Sequence, residues 1–359
     1  MLRKLDWYII RKFIGTYLFA LILIICIVII FDISEKIDDF TTKHVPLKQI
    51  IFNYYLTFIP FFVNTFSPLF VFITVIYFTS KMAYNTEIVA ILASGISFVR
   101  MLYPYFVSTL VIFLFSASLN HFIIPPANKI RIEFETQYNI NTPSQKRNRN
   151  LHLQISPGLY IYMSNFYNSG NRASFFSLEK FEDGVLKSKL MADYAIYDET
   201  KNVWKLNNYF VRDFSDSTET ITTGVSKDTA VNFSAKELKQ WDNVIASMNY
   251  FELQDRIKEM RMRGQNPYKA LLENYNRTSI PFSVFVLTLL GVSLSSRKVR
   301  GGIGMQIGIG IGLSFTYILF LRFSEVFIQV GIADALWAAW IPNILFAAVT
   351  LFFYSRTSK

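Results

Sequence analysis

Long apolar runs at both ends of the chain enclose a middle stretch where apolar residues come in short, alternating groups. The first run, Phe13 to Phe31, is about the 20 residues that a bilayer core requires, and it predicts a membrane-spanning helix. A basic amphipathic lead-in precedes it, with Arg3, Lys4, Arg11 and Lys12. No small-residue cleavage site follows, so the run reads as a retained span and not as a signal peptide. Asp32 to Lys48 is polar and charged and is expected to form a segment on the opposite face. Ile50 to Thr79 exceeds the need of one straight span and contains Pro60 and Pro68, which remove backbone donors and predict a bend. Met101 to Ile124 is a third span, ending at Pro125-Pro126. Between the second and third spans lies Lys81 to Arg100, KMAYNTEIVAILASGISFVR, with a short helix expected at about 81–98. Its flanking spans return the chain to one side, so this helix lies on a membrane face.

From Ala127 to about Asn276 the pattern changes to alternation. Tyr160-Ile161-Tyr162-Met163, Met191 to Tyr197 and Val203 to Phe214 are rich in aromatic and β-branched residues and predict strands. Glu182-Asp183-Gly184 and Asp198 to Asn202 are turn signals between them, and Lys146 to Asn150 reads as a solvated loop leading in. Asn249 with Glu252 makes a capping box, after which Tyr250, Leu253, Ile257 and Met260 recur at helical spacing before Gly264. Three further apolar runs follow: Ser279 to Leu294, Gly302 to Phe323 and Leu336 to Tyr354. The expected fold is an α-helical membrane protein with six transmembrane helices in a 3+3 arrangement. Residues 1–126 and 277–359 hold the spans, and 127–276 form an inserted water-exposed β domain that ends in an amphipathic helix.

Composition agrees with this pattern, since 52% of the 359 residues are hydrophobic and 17% aromatic, too oily for an ordinary soluble globule. A formal charge of +10 suggests nucleic acid until its distribution is considered. With the amino terminus inside, the inner segments carry Arg3, Lys4, Arg11, Lys12, Lys81, Arg100, Arg297, Lys298, Arg300, Arg356 and Lys359, against Asp6 and Glu87 as acids. That is the positive-inside bias, and long domains such as 127–276 cross largely regardless of charge. The single cysteine, Cys26, sits in an apolar run, which excludes an intrachain disulfide, and His44, His121 and His152 have no metal-ligand spacing. No Gly-x-x-x-x-Gly-Lys-Ser/Thr loop is present, so the chain is not expected to hydrolyse ATP, nor to hold a cofactor or metal. A membrane peptidase or transferase has no support, because the spans contain no lysine for a serine–lysine dyad.

Three sets of residues are candidates for function. Glu87 is either a solvated acid near a helix start or, with the apolar Ile88, Val89, Ile91 and Leu92, a surface that a soluble motor grips through an arginine. Gly304, Gly308 and Gly312 form either a close-packing stripe or a smooth face on which a helix slides to admit a lipid. Lys36, Lys43, Lys48, Lys129, Arg131 and Arg322 sit at the outer ends of spans, as snorkelling residues or as a ring meeting lipid phosphates. Lys36 and Lys43 are the favoured pair, in an acidic setting of Asp32, Glu35, Asp38 and Asp39.

The order and spacing of several segments resemble the LptF and LptG lipopolysaccharide-export permeases over nearly the whole chain. They are Leu5-Asp6-x-Tyr8, Glu87-Ile88-Val89-Ala90 with Ala93-Ser94-Gly95, Phe251-Glu252-Leu253, Leu290-Gly291-Val292, Gly301-Gly302-x-Gly304 and Trp340-x-Pro342-Asn343. Leu5-Asp6-x-Tyr8 and Asp32 to Phe40 look more like the LptG branch. The resemblance implies a half-transporter of an ATP-binding-cassette exporter with a jelly-roll-like β domain on the periplasmic side of the inner membrane. Its implied partners are a cytoplasmic LptB-like ATPase dimer, which holds the ATP and magnesium, a paralogous LptF or LptG permease and an LptC-like membrane-anchored β protein. Carried over, Glu87, Ile88, Ile91 and Leu92 meet the ATPase, Lys36, Lys43 and Arg322 meet lipid phosphates, and Gly304, Gly308 and Gly312 belong to the gate. The rivals are an ion-coupled secondary transporter and a non-transporting membrane scaffold. The first should show ionisable groups at mid-membrane depth, where this chain offers mainly Asn53, Asn64 and Asn343.

Overall fold

The computed structural model describes residues 4–138, 140, 147–167, 170–215, 218–231, 233, 245–262, 265–297, 302–329 and 334–356. Arg3, Lys146, Gly264, Lys298, Arg300, Gly301 and Lys359, singled out above, lie outside them. In chain order the helices are α1 (Lys4–Thr42), α2 (Leu47–Tyr84), α3 (Glu87–Ala93), α4 (Phe98–Gln137), α5 (Tyr250–Met262), α6 (Tyr268–Ser295), α7 (Gly302–Gln329) and α8 (Ala335–Arg356). The chain divides into two compact units. One is Met1–Ile140 with Ala246–Tyr250 and Tyr268–Lys359, and the other is Asn141–Ile245 with Phe251–Pro267.

In the first unit α1, α2, α4, α6, α7 and α8 are each long and apolar enough to cross a bilayer. Two of them outrun the sequence reading. Asp32 to Thr42, expected as a polar connection, continues α1. Acid–base pairs one turn apart, Asp32 with Lys36 and Asp39 with Lys43, support the helix there, and no helix breaker intervenes before Pro46. Likewise α4 does not stop at Pro125-Pro126. A π-helical turn at Leu119–Ile123 precedes the prolines, which then occupy the first turn of the α-helical segment that follows, where a missing N–H costs no hydrogen bond. A second π-helical turn, Ile50–Tyr55, stands just ahead of Pro60 in α2.

Helix α6 is central to this unit, with 67% of its most apolar window buried, against 17% for α1 and 22% for α7. Gly291 explains the close fit of α6 on α2, since a Cβ there would come within 2.9 Å of Val75 Cγ1. Helix α1 contributes one narrow stripe, Ile9, Phe13, Tyr17 and Leu21, spaced one turn apart, and leaves Leu18, Phe19, Ile22 and Leu23 exposed. Of the three asparagines noted in the spans, Asn53 is exposed, and Asn64 and Asn343 are cross-links. Asn64 Nδ2 donates to Asn120 Oδ1 (2.8 Å) and its Oδ1 accepts from Ser116, while Asn343 Nδ2 donates to the Ser279 carbonyl (2.8 Å) and its Oδ1 accepts from Tyr317. Such bonds satisfy polar groups that hydrocarbon cannot.

The second unit holds a six-stranded antiparallel sheet of β1 (Arg147–Ser156), β2 (Leu159–Tyr167), β3 (Arg172–Glu182), β4 (Val185–Asp198), β5 (Val203–Ser215) and β6 (Thr218–Thr229). Arg147 to Asn150 therefore opens β1 rather than forming a loop. The strands pair in sequence order, a meander. Where the sequence reading expected a jelly-roll-like arrangement, the crossover pairing of that topology is not found among the described strands. The hairpin at Asp183-Gly184 has positive φ at both residues (51° and 79°), as a tight two-residue turn requires. Trp204 is fully buried among Phe166, Phe176, Tyr197 and Phe233 and donates from Nε1 to the Phe233 carbonyl (2.9 Å). In α5, Leu253, Ile257 and Met260 are buried as their spacing predicts, but Tyr250 in the first position is exposed.

Candidate functional site

Helix α3 is only seven residues long and starts from Thr86, whose φ of 63° is left-handed. This reversal turns the chain out of α2 at once. Ile88 enters the core formed by Phe78, Met82, Phe98 and Met101, and Ile91 and Leu92 pack partly against it. Outward stand Val89, 62% exposed, with Ala90 and Ala93. The sequence reading assigned Ile88, Ile91 and Leu92 to a partner surface. The structure corrects that for Ile88, which is 2% exposed, and turns Ile91 and Leu92 toward their own bundle, because the helix must root itself before it can present a face.

Glu87 is one-third exposed, and its carboxylate already has partners. Tyr8 Oη donates to Oε2 at 3.0 Å, Lys12 Nζ lies 3.5 Å from the same oxygen, and Asn85 reaches Oε1 at 3.5 Å. Lys12 also bonds Tyr8 Oη and stands over its ring. Close by in sequence, the buried Asp6 of α1 takes a two-pronged bond from Arg100 of α4, Nη1 to Oδ1 at 2.7 Å and Nη2 to Oδ2 at 2.6 Å. Both acids of the basic segments thus bind a base or hydroxyl distant in sequence, and such charge-assisted pairs are the stronger hydrogen bonds.

At the other end of α1 the favoured cations are held differently. Lys36 is 7% exposed and bonds Asp32 and the Tyr54 hydroxyl, with Tyr54 and Phe58 rings beside its ammonium group. Asp32 accepts in turn from Tyr54 (3.2 Å) and Tyr55 (3.1 Å). In this structure Lys36 is buried and its ammonium group is already engaged by the Asp32 carboxylate and the Tyr54 hydroxyl. Lys43 pairs with Asp39 at 2.7 Å and Arg322 with Glu325 at 3.1 Å, and both cations are more exposed than Lys36. Arg131 pairs with Glu135 at 3.8 Å. Each of these four takes a carboxylate three or four residues away along the chain.

Along α7, Gly304, Gly308 and Gly312 face open space, with nothing within 4 Å of an added Cβ. The packed glycine is Gly310, where a Cβ would come within 2.4 Å of Ile76 Cδ1 of α2. Within this chain the stripe is an exposed smooth surface, continued by Phe315, Leu319 and Phe323. In the β unit a cavity of about 1210 Å³ opens on the sheet, with His152, Tyr160, Tyr162, Phe175, Met191 and Phe210 on its wall.

Asp32 is one of the acids expected around Lys36, whereas Tyr8, Lys12, Tyr54 and Gly310 carry no sequence signal as partners. The available signal was the scarcity of acids in the basic segments, where Asp6 and Glu87 stand out. The family model described as lipopolysaccharide export system permease LptF/LptG matches residues 7–356, which include the Glu87 helix, all six spans and the inserted sheet. No curated protein gives a significant match. The chain belongs to the LptF/LptG family of lipopolysaccharide export permeases.

Proposed function

We propose that this permease is one half of the membrane part of an ATP-binding-cassette exporter, which draws lipopolysaccharide from the inner membrane and passes it to a periplasmic bridge toward the outer membrane. A separate LptB-like ATPase dimer binds ATP and magnesium, a paralogous LptF or LptG chain completes the cavity, and an LptC-like membrane-anchored β protein continues the path. In this reading α3 lies in the cytoplasm and the sheet in the periplasm, which the bias of basic residues supports.

The observation that carries the proposal is the two-sidedness of α3. Ile88 is rooted in the core shared by α1, α2, α4 and α6, while Val89, Ala90 and Ala93 point away from it with Glu87 at their rim. A helix fixed on one side and apolar on the other passes a push from a soluble subunit into the spans. The scant coverage of α1 and α7 supports a second element, that these two helices border the path by which lipid enters. On α7 the smooth Gly304, Gly308 and Gly312 face lets a neighbour part and re-seat. Lys43 and Arg322, the more exposed of these cations, exchange a carboxylate for a lipid phosphate in this reading, and Lys36 holds Tyr54 in the wall of α2. The largely apolar wall of the sheet cavity supports contact of the β unit with acyl chains.

Native mass spectrometry of the tagged chain from its own membranes tests the assignment. The expected particle holds this chain, one homologous permease, two copies of a soluble ATPase and a bound lipopolysaccharide. A lone chain or homodimer free of ATPase and glycolipid contradicts it and brings the ion-coupled or scaffold reading forward.

A further inference from the structure

We infer that Glu87 is a positioning residue that ties the motor-facing helix α3 to α1, so that movement of α3 is delivered to the least covered span as well as to its covalent neighbours α2 and α4. The inference rests on the exporter reading and adds the route by which a push reaches one wall of the lipid path.

Three observations carry it. First, the Glu87 carboxylate points back to its own bundle, accepting from Tyr8 at 3.0 Å with Lys12 at 3.5 Å. Tyr8 and Lys12 are one turn apart on the same face of α1, and Lys12 bonds the Tyr8 hydroxyl, so the two donors hold one acceptor jointly. Second, Asp6 lies about 200° around the helix from Tyr8, and Arg100 grips it there with two bonds of 2.7 and 2.6 Å. The first turns of α1 are thus clasped from nearly opposite sides, by the start of α3 and by the start of α4. Third, α1 is the least covered of the described spans, with 17% of its most apolar stretch buried, so outside its core stripe and the Asp32–Lys36 cluster it is open to its surroundings. The clasp adds to the Ile9, Phe13, Tyr17 and Leu21 stripe in fixing where the start of α1 lies relative to α3. Glu87, placed at the junction of α3 with α1, therefore serves coupling from within the chain.

The test uses the complete complex in vesicles loaded with lipopolysaccharide, scoring ATPase content, ATP hydrolysis and lipid released. Tyr8→Phe with Lys12→Met changes only α1 and leaves the outer face of α3 untouched. The ATPase is expected to co-purify in wild-type proportion, while lipid released per ATP falls about fivefold, the low end of ordinary coupling between sites. Wild-type release per ATP overturns the inference, and so does loss of the ATPase, which would make these residues part of the docking surface instead. A second variant, Tyr8→Cys with Glu87→Cys in a Cys26→Ser background, replaces the polar bond by a short bis-thiol bridge. Bridging is expected to raise release per ATP over the unbridged protein, and no gain, or arrest, overturns the inference. If the wild-type complex lacks ATPase or releases no lipid, the exporter reading itself fails, before any variant is made.

Discussion

The two ends of α1 carry similar charges and use them in opposite ways. At the amino-terminal end Asp6 and Lys12 bind Arg100 and Glu87, residues of other helices far along the chain. At the carboxyl-terminal end Lys36 and Lys43 take carboxylates four residues back, Asp32 and Asp39, and the Asp32–Lys36 pair adds only neutral hydroxyls from α2, those of Tyr54 and Tyr55. The first pattern joins α1 to α3 and α4 by ion pairs. The second keeps each ion pair within one turn of chain and leaves Lys43 partly exposed. A charge's sign and depth are therefore insufficient to assign its role, and where its charged partner lies along the chain adds what they lack.

That contrast breaks most visibly at Lys36. Lys36→Met leaves the carboxylate of Asp32 buried without its cation and is expected to cost about 3 kcal/mol, read as a lower thermal midpoint in detergent. Adding Asp32→Leu should restore most of the stability and lipid release together, and release that stays low in the double variant would return Lys36 to the lipid site. At the opposite end, Asp6→Ala strips Arg100 of its buried partner. Because Arg100 is itself partly exposed, a smaller loss than at Lys36 is expected in the same measurement. Unchanged stability would demote this clasp to a surface contact.

A third comparison sets neighbouring glycines of α7 against each other. Gly310→Val drives a side chain into Ile76 and is expected to destabilise by about 1.5 kcal/mol, whereas Gly308→Val meets open space and should stay within about 0.5 kcal/mol in the isolated chain. Gly308→Val should instead reduce lipid release from the assembled complex. Equal destabilisation by both would mean that the exposed stripe is packed after all.

The smallest effect belongs to the β unit. Arg212, bonded to Glu219, holds that carboxyl below its usual range, and the Thr200 hydroxyl and backbone N–H do the same for Asp198. A carboxylate whose folded value lies below its unfolded one contributes stability above the unfolded value, and loses it as pH falls through the folded one. Stability of the sheet should therefore hold from neutral pH down to about 5 and decline below about 4, and Arg212→Met should flatten that decline slightly. A decline that begins near neutrality would point to other groups.

Much of this fold was legible because membrane spans and hairpins are written locally. Apolar runs marked every span, Asp183-Gly184 marked its hairpin, and Leu253, Ile257 and Met260 marked the buried stripe of α5. Local reading failed where composition misleads. Asp32 to Thr42 is polar enough to read as a loop, yet its one-turn acid–base spacing extends α1, and Pro125-Pro126 looked terminal until a π-helical turn accommodated it. The face of α3 was beyond periodicity, since seven residues make barely two turns and the tertiary core alone decides that Ile88 goes in and Val89 out. Partners distant in sequence, such as Tyr8 for Glu87, have no spacing to betray them, and only the scarcity of acids hinted at them.

Site-specific photo-crosslinking along α3 in native membranes tests the coupling account most directly. A crosslinking residue at Val89 or Ala93 should capture a soluble ATPase, while one at Ile88 should capture none. Capture from Ile88 as strong as from Val89, or none from either outward position, would contradict the assignment of α3 as the motor-facing helix.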